Sequence, residues 1–295
     1  MAAEALTKTK TFMRMIKVEH TVFALPFAFL AMLLGSLTVS GQFPTLWQWL
    51  WVTVAMVGAR SAAMSLNRVI DANIDKHNPR TAQREIPAGL LSKTDVWIFI
   101  VVSFALLFLA AFQLNMLSVY LLPIAVFFLV FYSYTKRFTW LCHVVLGITI
   151  GIAPLGGWVA VTGELSVTAL CLFFAVMFWL AGFDTVYATQ DSEYDRENGL
   201  YSIPSRFGIA KALWIARSFH VFSFIFFVTL FFVSELKWIY LMGVLLAGGI
   251  MIYQHAIVKK DDLSRVQLAF FPMNGTLSVL LFMFAFVDML ILRFS

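Results

Sequence analysis

Nine separate runs of apolar residues, each about 20 residues long, leave this chain few ways to fold. They lie at roughly 20–41, 46–67, 95–113, 116–134, 141–162, 166–184, 211–233, 237–256 and 273–293. A helix rises about 1.5 Å per residue, so each run is long enough to cross about 30 Å of hydrocarbon. Membrane barrel strands run about ten residues and alternate in polarity, and these runs do not. Composition agrees, with 61% of the 295 residues apolar and only 13% charged, against about 25% charged in a soluble domain. The sequence therefore predicts an all-α, polytopic protein solvated by a lipid bilayer, forming one domain over residues 1–295.

The charges sort by side. Lys8, Lys10, Arg14 and Lys17 precede the first run, and Arg68, Lys76, Arg80, Arg84 and Lys93 follow the second. Lys136 and Arg137 follow the fourth, Arg196, Arg206 and Lys211 the sixth, and Lys259, Lys260 and Arg265 the eighth. That places 17 of the 21 Lys and Arg residues on one side, with only Lys237 and Arg293 opposite and Arg60 and Arg217 inside runs. The positive-inside rule makes the 17-charge side cytoplasmic, with the N-terminus inside and the C-terminus outside. In a bacterial cell this is the inner, plasma membrane. The basic residues flank spans and form no separate domain, which argues against a nucleic-acid partner. The N-terminal segment reads as a basic amphipathic lead-in, without the short apolar core and cleavage site of a secretory signal. Cys142 and Cys171 lie in apolar runs and read as packing residues.

The two longest cytoplasmic connections carry a repeat. After the second run come Asn67, Asp71 and Asp75, spaced four apart and so on one helical face. After the sixth come Asp184, Asp191 and Asp195, spaced seven and four. Asp71 and Asp191 are 120 residues apart, as are Asp75 and Asp195. Each motif is followed by Ile-Pro, at Ile86-Pro87 and Ile203-Pro204, then by a Gly and a Lys. Such a repeat predicts two acidic clusters facing each other across one cavity. Clustered carboxylates repel unless a cation sits between them, and hard Asp and Asn oxygens suit Mg²⁺, which readily shares phosphate oxygens. Arg68, Lys76, Arg80, Arg84 and Arg196 stand beside the acids and are suited to neutralising the same phosphates. Metal-binding acids next to phosphate-binding bases at a membrane surface imply a lipid diphosphate. The acids are expected at aqueous helix ends, where truncating them leaves the bundle packed.

Asn67-Arg68-x-x-Asp71-x-x-x-Asp75 and Asp184-x-x-Tyr187-Ala188-x-x-Asp191-x-x-x-Asp195-x-x-x-Gly199 resemble the paired motifs of the UbiA superfamily of intramembrane prenyltransferases. The resemblance covers essentially the whole chain. It implies a nine-helix bundle around a central cavity and Mg²⁺-dependent transfer of a polyprenyl group from its diphosphate to an acceptor. It implies that Asn67, Asp71 and Asp75 hold one Mg²⁺ and Asp191 and Asp195 a second, with Asp184 acting directly or through water. Asp71, Asp75, Asp191 and Asp195 are then the catalytic acids. Pyrophosphate departure leaves an allylic cation, which needs a dry, aromatic chamber, and Tyr132, Tyr134 and Tyr187 are candidates to face it.

Before the first run, Arg14, Lys17 and Pro26 fit the family's acceptor-side pattern. Glu19-His20-Thr21 depart from the Pro-Ile-Gly of typical 4-hydroxybenzoate enzymes and resemble the branch linked to bacterial quinone synthesis, including the futalosine route to menaquinone. The resemblance implies acceptor contacts at Arg14, Lys17 and His20, with Glu19 a further candidate. It implies an aromatic acceptor of the 4-hydroxybenzoate or 1,4-dihydroxy-6-naphthoate type, in ubiquinone or menaquinone synthesis. Haem, chlorophyll or lipid prenylation remain alternatives within the family. A secondary transporter is the rival of another class, but its ion sites would sit near the midplane in broken helices. Arg60, on the face of Asn67 and one or two turns deeper, reads as a cavity-lining charge.

Overall fold

The computed structural model describes residues 2–294, with side chains at 8–19, 21 and 23–293. The long helices are α2 (Leu25–Ser40), α3 (Leu46–Ile70), α5 (Lys93–Leu114), α6 (Met116–Thr135), α7 (Cys142–Thr162), α8 (Val167–Tyr187), α11 (Ile209–Val233), α12 (Trp238–Ile257) and α13 (Val266–Phe294). Short helices α1 (Ala2–Met15), α4 (Ala72–His77), α9 (Ser192–Glu197) and α10 (Ile203–Phe207) lie between them or before them. Among the described residues no strand forms beyond one isolated bridge, Lys259 to Asp262.

Among the described residues eight helices, α3, α5, α6, α7, α8, α11, α12 and α13, are long and apolar enough to cross a membrane. The expected first span, 20–41, is shorter than its hydropathy suggests. Val18–Phe23 is a tight 3-10 turn and α2 has 16 residues, about 24 Å of helix. Pro26 sits in its first turn, where a missing N–H costs nothing, and Gly41 ends it at φ +65°. At the other terminus α13 starts at Val266, seven residues before the expected 273, and runs through Pro272. Pro272 is the seventh residue of α13, so the helix goes without the N–H that would meet the Leu268 carbonyl.

Local chemistry sets the other boundaries. Thr45 and Gln48 form a capping box at the start of α3. Ser92, Asn115 and Ser166 accept from Asp95, Ser118 and Ala169 N–H groups at the starts of α5, α6 and α8. The N-terminus of α12 has no cap of its own. Asp288 of α13, 2% exposed, accepts from the Lys237 N–H and, at 3.1 Å, from the Ile239 N–H. A buried acid far along the chain thus does the work of a local cap.

α8 is the most buried helix and packs against α7 and α11, while α2 packs on α7, α3 on α5 and α12 on α13. Phe27, Trp158, Trp179, Phe227 and Tyr240 form the centre of the largest core cluster. Lipid tails are as apolar as these side chains, so close packing holds the helices together. At the α2–α7 crossing a Cβ on Gly157 would run into the Ala28 carbonyl, so only glycine permits that approach.

Both acidic motifs lie where a long helix gives way. α3 stops at Ile70, Asp71 (φ −91°, ψ 2°) is the junction, and α4 restarts at Ala72. The stripe of Asn67, Asp71 and Asp75 is therefore not one uninterrupted helix, although the Asp71 N–H to Asn67 carbonyl (2.9 Å) and Asp75 N–H to Asp71 carbonyl (2.8 Å) bonds keep helical spacing. α8 ends at Tyr187, a 3-10 turn covers Ala188–Asp191, and α9 follows.

Candidate active site

The α4–α5 connection folds back over the first motif and reaches the second. Arg84 donates to both Asp75 carboxylate oxygens, at 2.7 and 2.8 Å. Arg80 donates through Nε to Asp191 Oδ1 at 2.8 Å, through its second terminal nitrogen to Oδ2, and to the Tyr187 hydroxyl at 3.0 Å. Its guanidinium lies 5.2 Å from the Tyr187 ring centroid. Burial works against the Arg80 charge, but the hydrogen bonds and negative charge of Asp191 outweigh it and raise its pKa above the ordinary arginine value. Asn78 Nδ2 also donates to Asp191 Oδ1 at 3.2 Å, and the Tyr194 hydroxyl donates to the Ile74 carbonyl at 3.0 Å. The two motifs are thus joined through Arg80, Asn78 and Tyr194.

Asp71 is held by residues that the sequence reading used only to orient the chain. Lys136 Nζ is 2.7 Å from Oδ2 and Arg137 Nη2 is 2.8 Å from Oδ1. Arg137 also donates to the Ile70 and Ser133 carbonyls, and Asn67 Nδ2 donates to Asp71 Oδ2 at 2.9 Å. The one signal in the sequence was a Lys-Arg pair directly after the fourth run. Asp71 and Asp75 are 1% and 3% exposed, so the expectation of acids at water-exposed helix ends is corrected for the first motif, whereas Asp191 and Asp195 are half-buried. The 78–92 connection and the Lys136–Arg137 corner cover Asp71 and Asp75.

The remaining expected residues are spread around this core. Arg68 is buried, with Nη1 3.4 Å from Asn67 Oδ1, whereas Lys76 and Arg196 are exposed. Asp195 is half-buried on α9. Asp184 faces His143, a residue the sequence reading passed over, with Nδ1 to Oδ2 at 2.7 Å. As the side chains stand, no three Asp, Glu, His or Cys residues among the described residues are gathered as a metal site. The acids are instead matched individually with bases.

Behind the motifs a cavity of about 240 Å³ runs between α3, α5, α6 and α7. Its lining is apolar apart from Arg60, Tyr132, Ser118 and Thr149, and includes Ala24, which follows the 3-10 turn. α3 lines it as far as Met64, and Asn67 and Asp71 follow about one and two turns later. Tyr132 donates its hydroxyl to the Ala63 carbonyl at 2.9 Å. The other two expected tyrosines are elsewhere, Tyr134 exposed with Arg137 5.6 Å from its ring centroid and Tyr187 stacked on Phe270 at 4.0 Å.

Of the expected acceptor contacts, Arg14 pairs with Glu85 at 3.0 Å and its side chain is 60% exposed. Lys17 has left-handed backbone (φ 51°) and its Nζ is 3.9 Å from Glu19. The side chain of His20 lies outside the described residues. Arg60 does line the cavity. It donates to the Lys17 carbonyl at 3.0 Å, with the Ile16 carbonyl at 3.5 Å, while its buried Nε has no hydrogen-bond partner.

Residues 24–284 match the UbiA prenyltransferase family. A 4-hydroxybenzoate octaprenyltransferase of Tolumonas auensis is 31% identical over 230 residues, covering 73% of this chain and 80% of that protein. A UbiA homologue of Aeropyrum pernix K1, solved in its apo form, superposes with a TM-score of 0.78 at 30% identity, covering 92% of this chain and 98% of that one. A UbiA homologue of Archaeoglobus fulgidus bound to DMAPP and Mg²⁺ shares the fold, with a TM-score of 0.75 at 16% identity over 95% of this chain and 99% of that one.

Proposed function

The chain belongs to the UbiA prenyltransferase family, and on that premise we propose that it transfers a polyprenyl group from polyprenyl diphosphate to a small aromatic carboxylate used in quinone synthesis. The acceptor is of the 4-hydroxybenzoate type, the activity named for the Tolumonas auensis relative, or of the 1,4-dihydroxy-6-naphthoate type. One arrangement carries this reading: two acid motifs interleaved with bases at one end of an apolar cavity, with Arg60 and Tyr132 on the cavity wall. The whole of 1–295 acts as one unit in the plasma membrane, with the site opening to the cytoplasm.

The donor set fits Mg²⁺. It is all oxygen, from two motifs joined by Arg80, Asn78 and Tyr194. Asn67, Asp71 and Asp75 would hold one ion and Asp191 and Asp195 a second, with Asp184 acting through water. When bound, Mg²⁺ neutralises the diphosphate and makes it a better leaving group. Arg80, Arg84, Lys136 and Arg137, now paired with the acids, would bind the diphosphate oxygens, with Arg68, Lys76 and Arg196 around them. The C–O bond of the prenyl diphosphate breaks and the electron pair leaves with pyrophosphate. A ring carbon of the acceptor bonds to the allylic carbon, and the ring then loses the proton it carried there. The apolar cavity takes the prenyl tail and keeps water from the cation, and Tyr132 stabilises it through its ring. Tyr134 and Tyr187 serve the site from outside the cavity wall, beside Arg137 and Arg80.

Arg60 is the best-placed acceptor contact. A half-buried guanidinium lining the cavity suits a carboxylate, which its planar fork takes with two parallel bonds. Lys17 contributes its carbonyl to Arg60, and the Lys17–His20 segment borders the site. Arg14, expected for this role, instead ties α1 to Glu85.

The test is prenyl transfer by the purified chain in vesicles, with and without chelator, on 4-hydroxybenzoate, 1,4-dihydroxy-6-naphthoate and 1,4-dihydroxy-2-naphthoate. Mg²⁺-dependent product with one of the acids supports the reading. Product from none of them, or product unaffected by chelation, sinks it.

A further inference from the structure

His143 lies in the first turn of α7 and is 3% exposed. Its Nδ1 is 2.7 Å from Asp184 Oδ2 on α8, and its Nε2 is 3.3 Å from the Ile203 backbone nitrogen. A backbone N–H can only donate, so Nε2 carries the lone pair. Nδ1 then carries the proton and donates to the Asp184 carboxylate. Ile203 is fully buried and opens α10, just before Pro204. One imidazole, satisfied at both nitrogens, therefore grips both ends of the stretch from Asp184 to Ile203. Asp191 and Asp195 lie between those two ends. Among the described residues no histidine clamps the first motif in this way. Met64 stands where the repeat would put an acid matching Asp184, and the following connection is tied by Arg84 to Asp75 and Arg14 to Glu85.

We propose that His143 is a positioning residue for the second acidic motif, fastening Asp184 to Ile203 so that Asp191 and Asp195 are set in place for a divalent cation. This rests on the reading that the second motif holds Mg²⁺. The histidine is not a proton shuttle, because Ile203 closes Nε2 and protonation there breaks that bond. Partners that orient metal-site carboxylates typically contribute 10–100-fold to metal affinity.

The experiment uses the full chain in nanodiscs, with Mn²⁺ in place of Mg²⁺ and inorganic pyrophosphate present, and reads free Mn²⁺ by electron paramagnetic resonance. His143→Leu should raise the Mn²⁺ midpoint about tenfold or more. His143→Asn keeps an amide N–H near the Nδ1 position but gives up Ile203, so it too should raise the midpoint. His143→Gln reaches toward Ile203, gives up Asp184 and should resemble His143→Leu. In an Asp184→Asn background His143→Leu should add nothing further, as expected of a residue acting through Asp184. Should His143→Leu fail to fold, the Asn and Gln variants decide, and wild-type midpoints for both overturn the proposal. A His143→Leu midpoint equal to wild type, or one that shifts equally in the Asp184→Asn background, overturns it while leaving the metal reading intact. A wild-type chain that binds no Mn²⁺ overturns both.

Discussion

Replacing Asp71 with alanine should remove activity and also cost stability, and the structure sets the size of each effect. Asp71 is 1% exposed and holds Lys136 at 2.7 Å and Arg137 at 2.8 Å. Removing one partner of a fully buried pair costs about 3–5 kcal/mol. Here the Lys136 and Arg137 side chains are 29% and 31% exposed, so water takes over part of their solvation and about 2–3 kcal/mol is the better figure. Asp191 is 17% exposed and faces one base, Arg80, which is 30% exposed, so Asp191→Ala should cost only about 1–2 kcal/mol. In a thermal scan in detergent, Asp71→Ala should melt roughly 5 °C below wild type and Asp191→Ala only about half as far. Turnover is the second readout. On the proposed two-ion reading each ion would supply several kcal/mol of charge stabilisation in the transition state, and a loss of 4 kcal/mol is about a thousandfold in rate. Both variants should therefore fall about a thousandfold or more at saturating Mg²⁺, despite their unequal melting. Near wild-type turnover in either variant refutes the two-ion assignment. Equal melting of the two refutes the burial reasoning.

Other outcomes follow from the same geometry. Arg60→Ala should raise the acceptor KM tens-fold and leave the prenyl diphosphate KM unchanged, with partial recovery in Arg60→Lys. Arg14→Ala should move neither KM by more than about twofold, since losing an exposed ion pair costs about 1 kcal/mol at most; a selective rise in acceptor KM there would return the carboxylate contact to Arg14. A reporter fused after Ser295 should be extracytoplasmic and one inserted near Asn78 cytoplasmic, and a cytoplasmic C-terminus would mean the helix count is wrong. Asp288→Ala leaves two backbone N–H groups at the start of α12 without their acceptor and should cost about 1–2 kcal/mol in a denaturation assay, with unchanged turnover.

The membrane-spanning character, the all-helical class and the two acid motifs were legible in the sequence, because each is written locally. Hydropathy over about 20 residues marks a span, and an i, i+4 spacing marks a face, whatever the rest of the chain does. The short α2 was only half legible. Its apolar run gave no sign that Val18–Phe23 would turn, although Pro26 and Gly41 mark the helix that forms. Tertiary structure alone decided which base meets which acid. Arg137 is 66 residues from Asp71, Arg80 is 111 from Asp191 and His143 is 41 from Asp184, and no spacing rule reaches that far. It also decided burial. Asp71 and Asp75 sit at a helix end that hydropathy reads as wet, yet a connection folded back from the same chain covers them. The arginine on the cavity wall was likewise a matter of packing. Arg14 and Arg60 both precede the first motif, but Glu85 pairs with one, and the crossing of α3 with the segment before α2 sets the other on the cavity wall.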